Sequence, residues 1–223
     1  LQTNGRCLHS PDFFSKIKNY PVFYVIALHS INEKVHDKIS QRSNSYQETW
    51  TGIQRLLEHK KSLLVKCVLT NHNYREMKEF VRTLFELGAT NCMFSFPHAQ
   101  GNAWINRDEV VPLYEDIIPY LRECIHYVEE QNQLGHSIKL RFETIPFCHF
   151  EDGKQIYAQE WYHNQDHKVE LKQLDSNSTI DWSKQRGDIK IHPYSICETC
   201  VYLHRCEGVW DDYYEIQIGR AHV

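Results

Sequence analysis

The 223-residue chain has no long apolar run, no basic cluster and no signal-peptide pattern. Its longest apolar stretch, residues 22–28 (VFYVIAL), falls far short of the ~20 residues that a membrane-spanning helix requires. The formal net charge is -4, acids and bases are mixed along the whole length, and Lys and Arg gather on no one predicted face. A nucleic-acid groove needs the opposite. The opening residues, Leu1-Gln2-Thr3-Asn4-Gly5, show none of the charged, apolar and small-residue regions of a signal peptide. The expectation is a cytoplasmic protein with neither nucleic acid nor membrane among its partners.

What the chain does have is cysteine. Eight cysteines in a cytosolic protein favour metal ligation or buried thiols over disulfides. Three of them, Cys197, Cys200 and Cys206, stand in the run CETCVYLHRCEG. A Cys-x-x-Cys knuckle brings two thiolates to one metal from a single turn, and a third thiolate five residues on can close over the same ion or cluster. Two residues can supply a fourth ligand. Cys148, behind Pro146, would make four thiolates, which suits an iron-sulfur cluster. His204, inside the run, would make Cys3His, which suits structural zinc. The remaining thiols, Cys7, Cys67, Cys92 and Cys124, read as buried structural residues, because Cys67 and Cys92 fall within predicted strands and Cys124 on the apolar stripe of a helix.

Residues 22–28, 63–69 (LLVKCVL), 91–96 (NCMFSF) and 137–143 (SIKLRFE) predict strands, short and rich in β-formers as in a sheet covered on both faces. Helical stripes lie between them. Trp50, Ile53, Leu56 and Leu57 share one face; Met77, Phe80, Val81, Leu84 and Phe85 share another, with Gly88 as the stop. The longest stripe runs from Val110 through Leu113, Ile117, Leu121 and Cys124 to Val128 and closes near Gly135. This alternation predicts right-handed βαβ units on a parallel sheet, an α/β barrel or part of one. Residues 150–193 break the rhythm, and predict a small loop-rich region organised by the metal.

Four stretches, in order, resemble the radical SAM enzymes that carry a C-terminal auxiliary-cluster region of the SPASM or twitch type. Thr3-Asn4-Gly5 resembles the family's strand-end TNG. Ala27-Leu28-His29-Ser30 with His36-Asp37 is similar to its SLDG segment and later HD pair. Phe96-Pro97-His98-Ala99-Gln100-Gly101-Asn102-Ala103 resembles the loop with a Gly-x-Ala after the sixth strand, and the cysteine run resembles the start of CX2CX5CX3C. Departures from the family pattern are equally specific. Trp210 stands where the SPASM pattern has its last cysteine, Ala27 replaces a ribose-facing serine, and His29 replaces an aspartate. The family's defining CX3CX2C is absent from the chain, and there is no initiator methionine.

The resemblance implies a partial (β/α) radical SAM barrel over residues 1–144, spanning about strands 3 to 6 of the family's barrel, and a twitch-like auxiliary-cluster region over 145–217. Residues 218–223 (IGRAHV) read as a translated sequencing adapter. The chain is thus expected to be a fragment, inactive by itself. The intact enzyme would cleave S-adenosylmethionine reductively at a [4Fe-4S] cluster and abstract hydrogen from a substrate, such as a ribosomally made peptide. Flavodoxin or ferredoxin would supply the electron. An auxiliary 4Fe-4S cluster would be held by Cys148, Cys197, Cys200 and Cys206. Asn73 and Gly101 would be cofactor-side positions, their plainer readings being a helix cap and a turn. The competing class is a non-catalytic α/β protein whose zinc-stabilised tail binds a partner.

Overall fold

The computed structural model describes residues 1–162, 170–172 and 179–221, which form two compact units. The first comprises Leu1–Pro97 and Asp108–Phe142; the second comprises His98–Arg107 and Glu143–Val223.

The first unit is built on a five-stranded parallel sheet: β1 (Gln2–Thr3), β2 (Tyr24–Ala27), β3 (Leu63–Val68), β4 (Asn91–Ser95) and β5 (Lys139–Glu143). The order in the sheet is the order in the chain, and the registers Tyr24↔Leu63 and Val65↔Cys92 fix β2 on β3 and β3 on β4. Four of these strands fall within the predicted runs; β2, β3 and β4 are apolar because they are covered on both faces, while β5 (KLRFE) alternates buried and more exposed residues. The sheet has one strand more than a stretch of barrel strands 3 to 6 would hold.

Helices alternate with these strands along the chain: α1 (Pro11–Ile17), α2 (Glu33–Ser40), α3 (Ser45–Glu58), α4 (Met77–Leu87), the short α5 (Asn102–Ile105) and α6 (Arg107–Val110), and the long α7 (Tyr114–Gln133). Local chemistry sets their ends. The Asn32 side chain accepts from the Lys34 and Val35 amides to start α2, and Gly88, in the left-handed conformation at φ 98°, stops α4. The predicted long stripe is divided. Pro112 disfavours helical geometry at the residue before it, so Val110 ends α6 and Leu113 is the extended residue ahead of α7.

Gly5 and Gly52 let α3 approach the loop after β1. A Cβ on Gly52 would lie 2.6 Å from the Gly5 carbonyl oxygen, and one on Gly5, itself at φ 74°, would lie 2.9 Å from Ile26. The core comprises Tyr24, Ile26, Ile53, Val65, Phe80, Phe94, Leu121 and Phe142, with Phe94 stacked on Phe142 at 5.6 Å. Cys67, Cys92 and Cys124 are buried in it, whereas Cys7 is exposed on the turn Arg6–His9 and is not the buried thiol expected. Position 7 has no strand or helix stripe to carry it inward.

In the second unit two small antiparallel pairs frame the chain: β6 (Glu170–Lys172) with β7 (Thr179–Asp181), and β8 (Lys190–Ile191) with β9 (Val209–Trp210). Between and after them come α8 (Trp182–Asp188), the one-turn α9 (Ser195–Glu198) and α10 (Asp211–Ala221), which contains the first residues of the suspected adapter. The loop-rich expectation for residues 150–193 falls partly, at 163–169 and 173–178, outside the described residues.

Candidate functional site

In the first unit, the residues just beyond β2 and β3 form a buried polar knot. Asn73 is its centre. Its Oδ1 accepts from the Thr70 amide at 2.7 Å, and its Nδ2 donates to the carbonyls of His29 at 2.7 Å and Val68 at 2.8 Å. The carboxamide therefore joins two strand ends and makes no helix-cap bond. The His29 amide donates to Nδ1 of His36 at 3.0 Å, and the two rings stack at 5.7 Å. Burial first, then the neighbouring His36, depresses the His29 pKa to about 4, so its ring is neutral near pH 7. Asp37 completes the HD pair by accepting from the Asn44 and Tyr46 amides and the Ser45 hydroxyl at the start of α3. Ser30 donates to Glu76 at 2.7 Å.

Gly101, in the second unit, adopts φ 58° and ψ -124°, and its carbonyl receives the Trp104 and Ile105 amides at the start of α5. Among the described residues, nothing beyond its chain neighbours lies within 4 Å of where a Cβ would stand, so the backbone angle alone calls for glycine.

The cysteines of the second unit are set by a succession of turns. The Cys197 amide donates to the Tyr194 carbonyl, Cys200 to Cys197, Leu203 to Cys200, and Cys206 to Tyr202, at 2.7–3.1 Å. Cys148 arrives on the turn Phe147–His149, started by the extended Pro146. Phe147, beside it, is buried, and its ring stands edge-on to Tyr202 inside the cysteine run and to Trp161, each at 5.8 Å. This contact sets the turn that carries Cys148 beside the cysteine run. Although Cys148 as a residue is exposed, partial burial of its thiol, then the neighbouring thiols of Cys206, Cys197 and Cys200, push its pKa up to about 11. Burial, the larger effect, raises the Cys206 pKa, while its sulfur receives the Gly208 amide at 3.4 Å and that of Phe147, which oppose the shift. Backbone donors of this kind stabilise thiolate and tune cluster sulfurs. Gly208 is indispensable there: at φ 81°, a Cβ would stand 2.1 Å from the Ile191 carbonyl oxygen. His204 is exposed.

Beside Cys206 lies a charge network that no sequence signal disclosed. Arg186 meets Glu160, Glu207 at 2.5 Å and Glu143 at 3.3 Å, while Lys190 donates to Glu207 at 2.7 Å. Burial opposes charge on Arg186, and the three carboxylates outweigh it, raising its pKa. Trp210 is buried against this network. Lys190 Nζ stands 4.8 Å from its ring centroid, and the ring of His98 stacks on it at 4.3 Å. The position at which the family pattern has a cysteine is thus an apolar ring beside cations.

The same folding pattern occurs in solved structures of an anaerobic sulfatase-maturating radical SAM enzyme. Native anSMEcpe with bound AdoMet and Kp18Cys peptide superimposes with a TM-score of 0.59 at 11% identity, covering 95% of this chain and 65% of that one. A polyhistidine-tagged form of anSMEcpe with bound AdoMet gives 0.51 at 12% identity, covering 63% and 37%. The chain shares its fold with these structures. Identity this low speaks for fold alone, and the chain spans between 37% and 65% of the length of these structures. No protein-family model matches the sequence, and no curated protein matches it.

Proposed function

We propose that the chain is part of a radical SAM enzyme, and that Cys148, Cys197, Cys200 and Cys206 hold an auxiliary 4Fe-4S cluster in a twitch-like region. The observation that carries the reading is the packing of Phe147, next to Cys148, on Tyr202 inside the turns that set Cys197, Cys200 and Cys206, in a chain whose fold is shared with anSMEcpe. The donor set suits the group: four thiols, a sulfur receiving backbone amides, and an aromatic shell from Phe147 and Tyr202.

When bound in the whole enzyme, S-adenosylmethionine and a further 4Fe-4S cluster supply the radical that takes hydrogen from the substrate. This chain's residues bind and position. Asn73 and Gly101 stand as cofactor-side positions, Asn73 by holding the strand-end carbonyls of His29 and Val68 in place, Gly101 through its amide-rich turn. The neutral His29 and His36 keep positive charge out of that edge. A peptide substrate is favoured because native anSMEcpe is seen with a peptide; flavodoxin or ferredoxin is the proposed electron donor, and the cytoplasm the proposed compartment.

Anaerobic reconstitution of the chain with iron and sulfide, followed by metal analysis and visible absorption, tests the cluster. Bound iron and sulfide with charge-transfer absorption are expected. A colourless protein that takes up zinc and no iron would replace this reading with that of a zinc-stabilised binding protein.

A further inference from the structure

Outside the cysteine region, the second unit gathers three donors of a different kind. His98 Nε2, and one carboxylate oxygen from each of Asp211 and Asp212, all lie within 4.8 Å of one another. We infer that His98, Asp211 and Asp212 form a second metal site, for a divalent cation such as Mn2+ that accepts one imidazole and two carboxylates.

Three observations carry it. His98 Nε2 and Asp212 Oδ2 are 3.0 Å apart, yet neither atom makes a hydrogen bond among the described residues. Two neighbouring ligands of an octahedral ion, each at about 2.1 Å, are separated by about 3.0 Å. Both Asp212 oxygens and His98 Nε2 are sealed from solvent without a hydrogen-bond partner among the described residues, and the Asp212 side chain is only 13% exposed. A carboxylate shielded from water in this way requires a compensating charge. The nearby cations are otherwise engaged, Arg186 and Lys190 with Glu207 and Glu160.

The donors are also held in place. The His98 ring lies nearly parallel to the buried Trp210, at 16° and 4.3 Å, which fixes where its nitrogen points. The β8–β9 pairing ends at Trp210, and the Asp211 amide bonds the Ile189 carbonyl at 3.1 Å, so both aspartates enter α10 from a pinned strand. The Asp212 amide donates to Asp211 Oδ1 at 2.8 Å, orienting the Asp211 carboxylate. The N-terminus of α10 would by itself favour carboxylates; it does not account for an imidazole nitrogen facing one of them out of hydrogen-bond alignment. Hard oxygen ligands with one imidazole suit Mn2+ and Zn2+, whereas the thiols of Cys148, Cys197, Cys200 and Cys206 do not favour Mn2+. Manganese therefore separates the two sites, and this inference stands independently of the proposed cluster.

The test is a titration of the full chain with MnCl2 at neutral pH, followed by the EPR signal of free Mn2+, with thermal unfolding in parallel. The wild type should bind one equivalent saturably and melt higher with Mn2+. His98→Gln and Asp212→Asn should each weaken binding by about tenfold or more, and lose the shift in melting. Asp211→Asn gives the same readout if either of those variants fails to fold. Glu215→Gln, exposed on α10, should leave binding intact. Absence of saturable Mn2+ binding by the wild type, or undiminished Mn2+ binding in the Asp211 and Asp212 variants, would overturn the site and leave a plain imidazole–carboxylate pair.

Discussion

Asn73 Nδ2 donates to the carbonyl oxygen of His29 at 2.7 Å, which locks the loop after β3 onto the end of β2. One side chain thereby settles three buried backbone groups, the His29 and Val68 carbonyls and the Thr70 amide. In a sheet whose strand ends carry the proposed cofactor side, that lock decides whether the edge has one shape or several.

Asn73→Ala should therefore destabilise the protein by about 1–3 kcal/mol, the cost of buried groups left without partners. Denaturant unfolding measures it. Asn73→Asp, which keeps the acceptor for Thr70 and loses the donors to His29 and Val68, should also destabilise. Unchanged stability in both variants would assign Asn73 to ligand contact alone.

Acidification should loosen the first unit. The folded pKa of His29, about 4, lies below its ordinary value of 6.5, so the unfolded chain binds the proton more readily. The contribution of His29 is present above pH 6.5 and is lost as pH falls toward 4, by up to about 1.4 kcal/mol per pH unit in that window. His36 is lowered too, by burial, and adds in the same direction. Melting temperatures across pH 7 to 4 check this, and His29→Asn should flatten the profile.

Arg186→Met should cost about 3–5 kcal/mol, because it leaves Glu160 buried beside Glu207 without its main cation. Circular dichroism with denaturant reads the loss. Recovery of much of it in the double variant with Glu160→Gln would show that the penalty comes from the stranded carboxylate.

Cys148→Ala, Cys197→Ala, Cys200→Ala and Cys206→Ala should each sharply lower reconstituted iron, since ligation needs every thiolate in place. His204→Ala should leave iron nearly unchanged. Iron that survives loss of Cys148 and falls with loss of His204 would move the fourth ligand to the imidazole.

The sheet was legible because β2, β3 and β4 are covered on both faces and so read as apolar runs, and α4 because Gly88 marks its stop. The stripe across Val110 and Leu113 misled because its periodicity passed over Pro112. Cys197, Cys200 and Cys206 announce themselves by local spacing. The approach of Cys148 depends on Phe147 packing against Tyr202, a contact between segments that no spacing records. Arg186 and Glu160 lie in an aperiodic stretch, and their pairing is purely tertiary. His98 lies in the run FPHAQGNA, which carries no sign that two aspartates far along the chain face it.

Each strand of the parallel sheet hydrogen-bonds to the strand that precedes it in the chain, so the sheet can be laid down in the order in which a ribosome releases it, with no strand inserted later between two others. The thiols follow the reverse schedule. Cys148 emerges long before Cys197, and joining them closes a loop whose entropic cost grows with its length. The sheet can therefore assemble in chain order, whereas the four thiols of the proposed cluster can meet only once Cys206 has appeared.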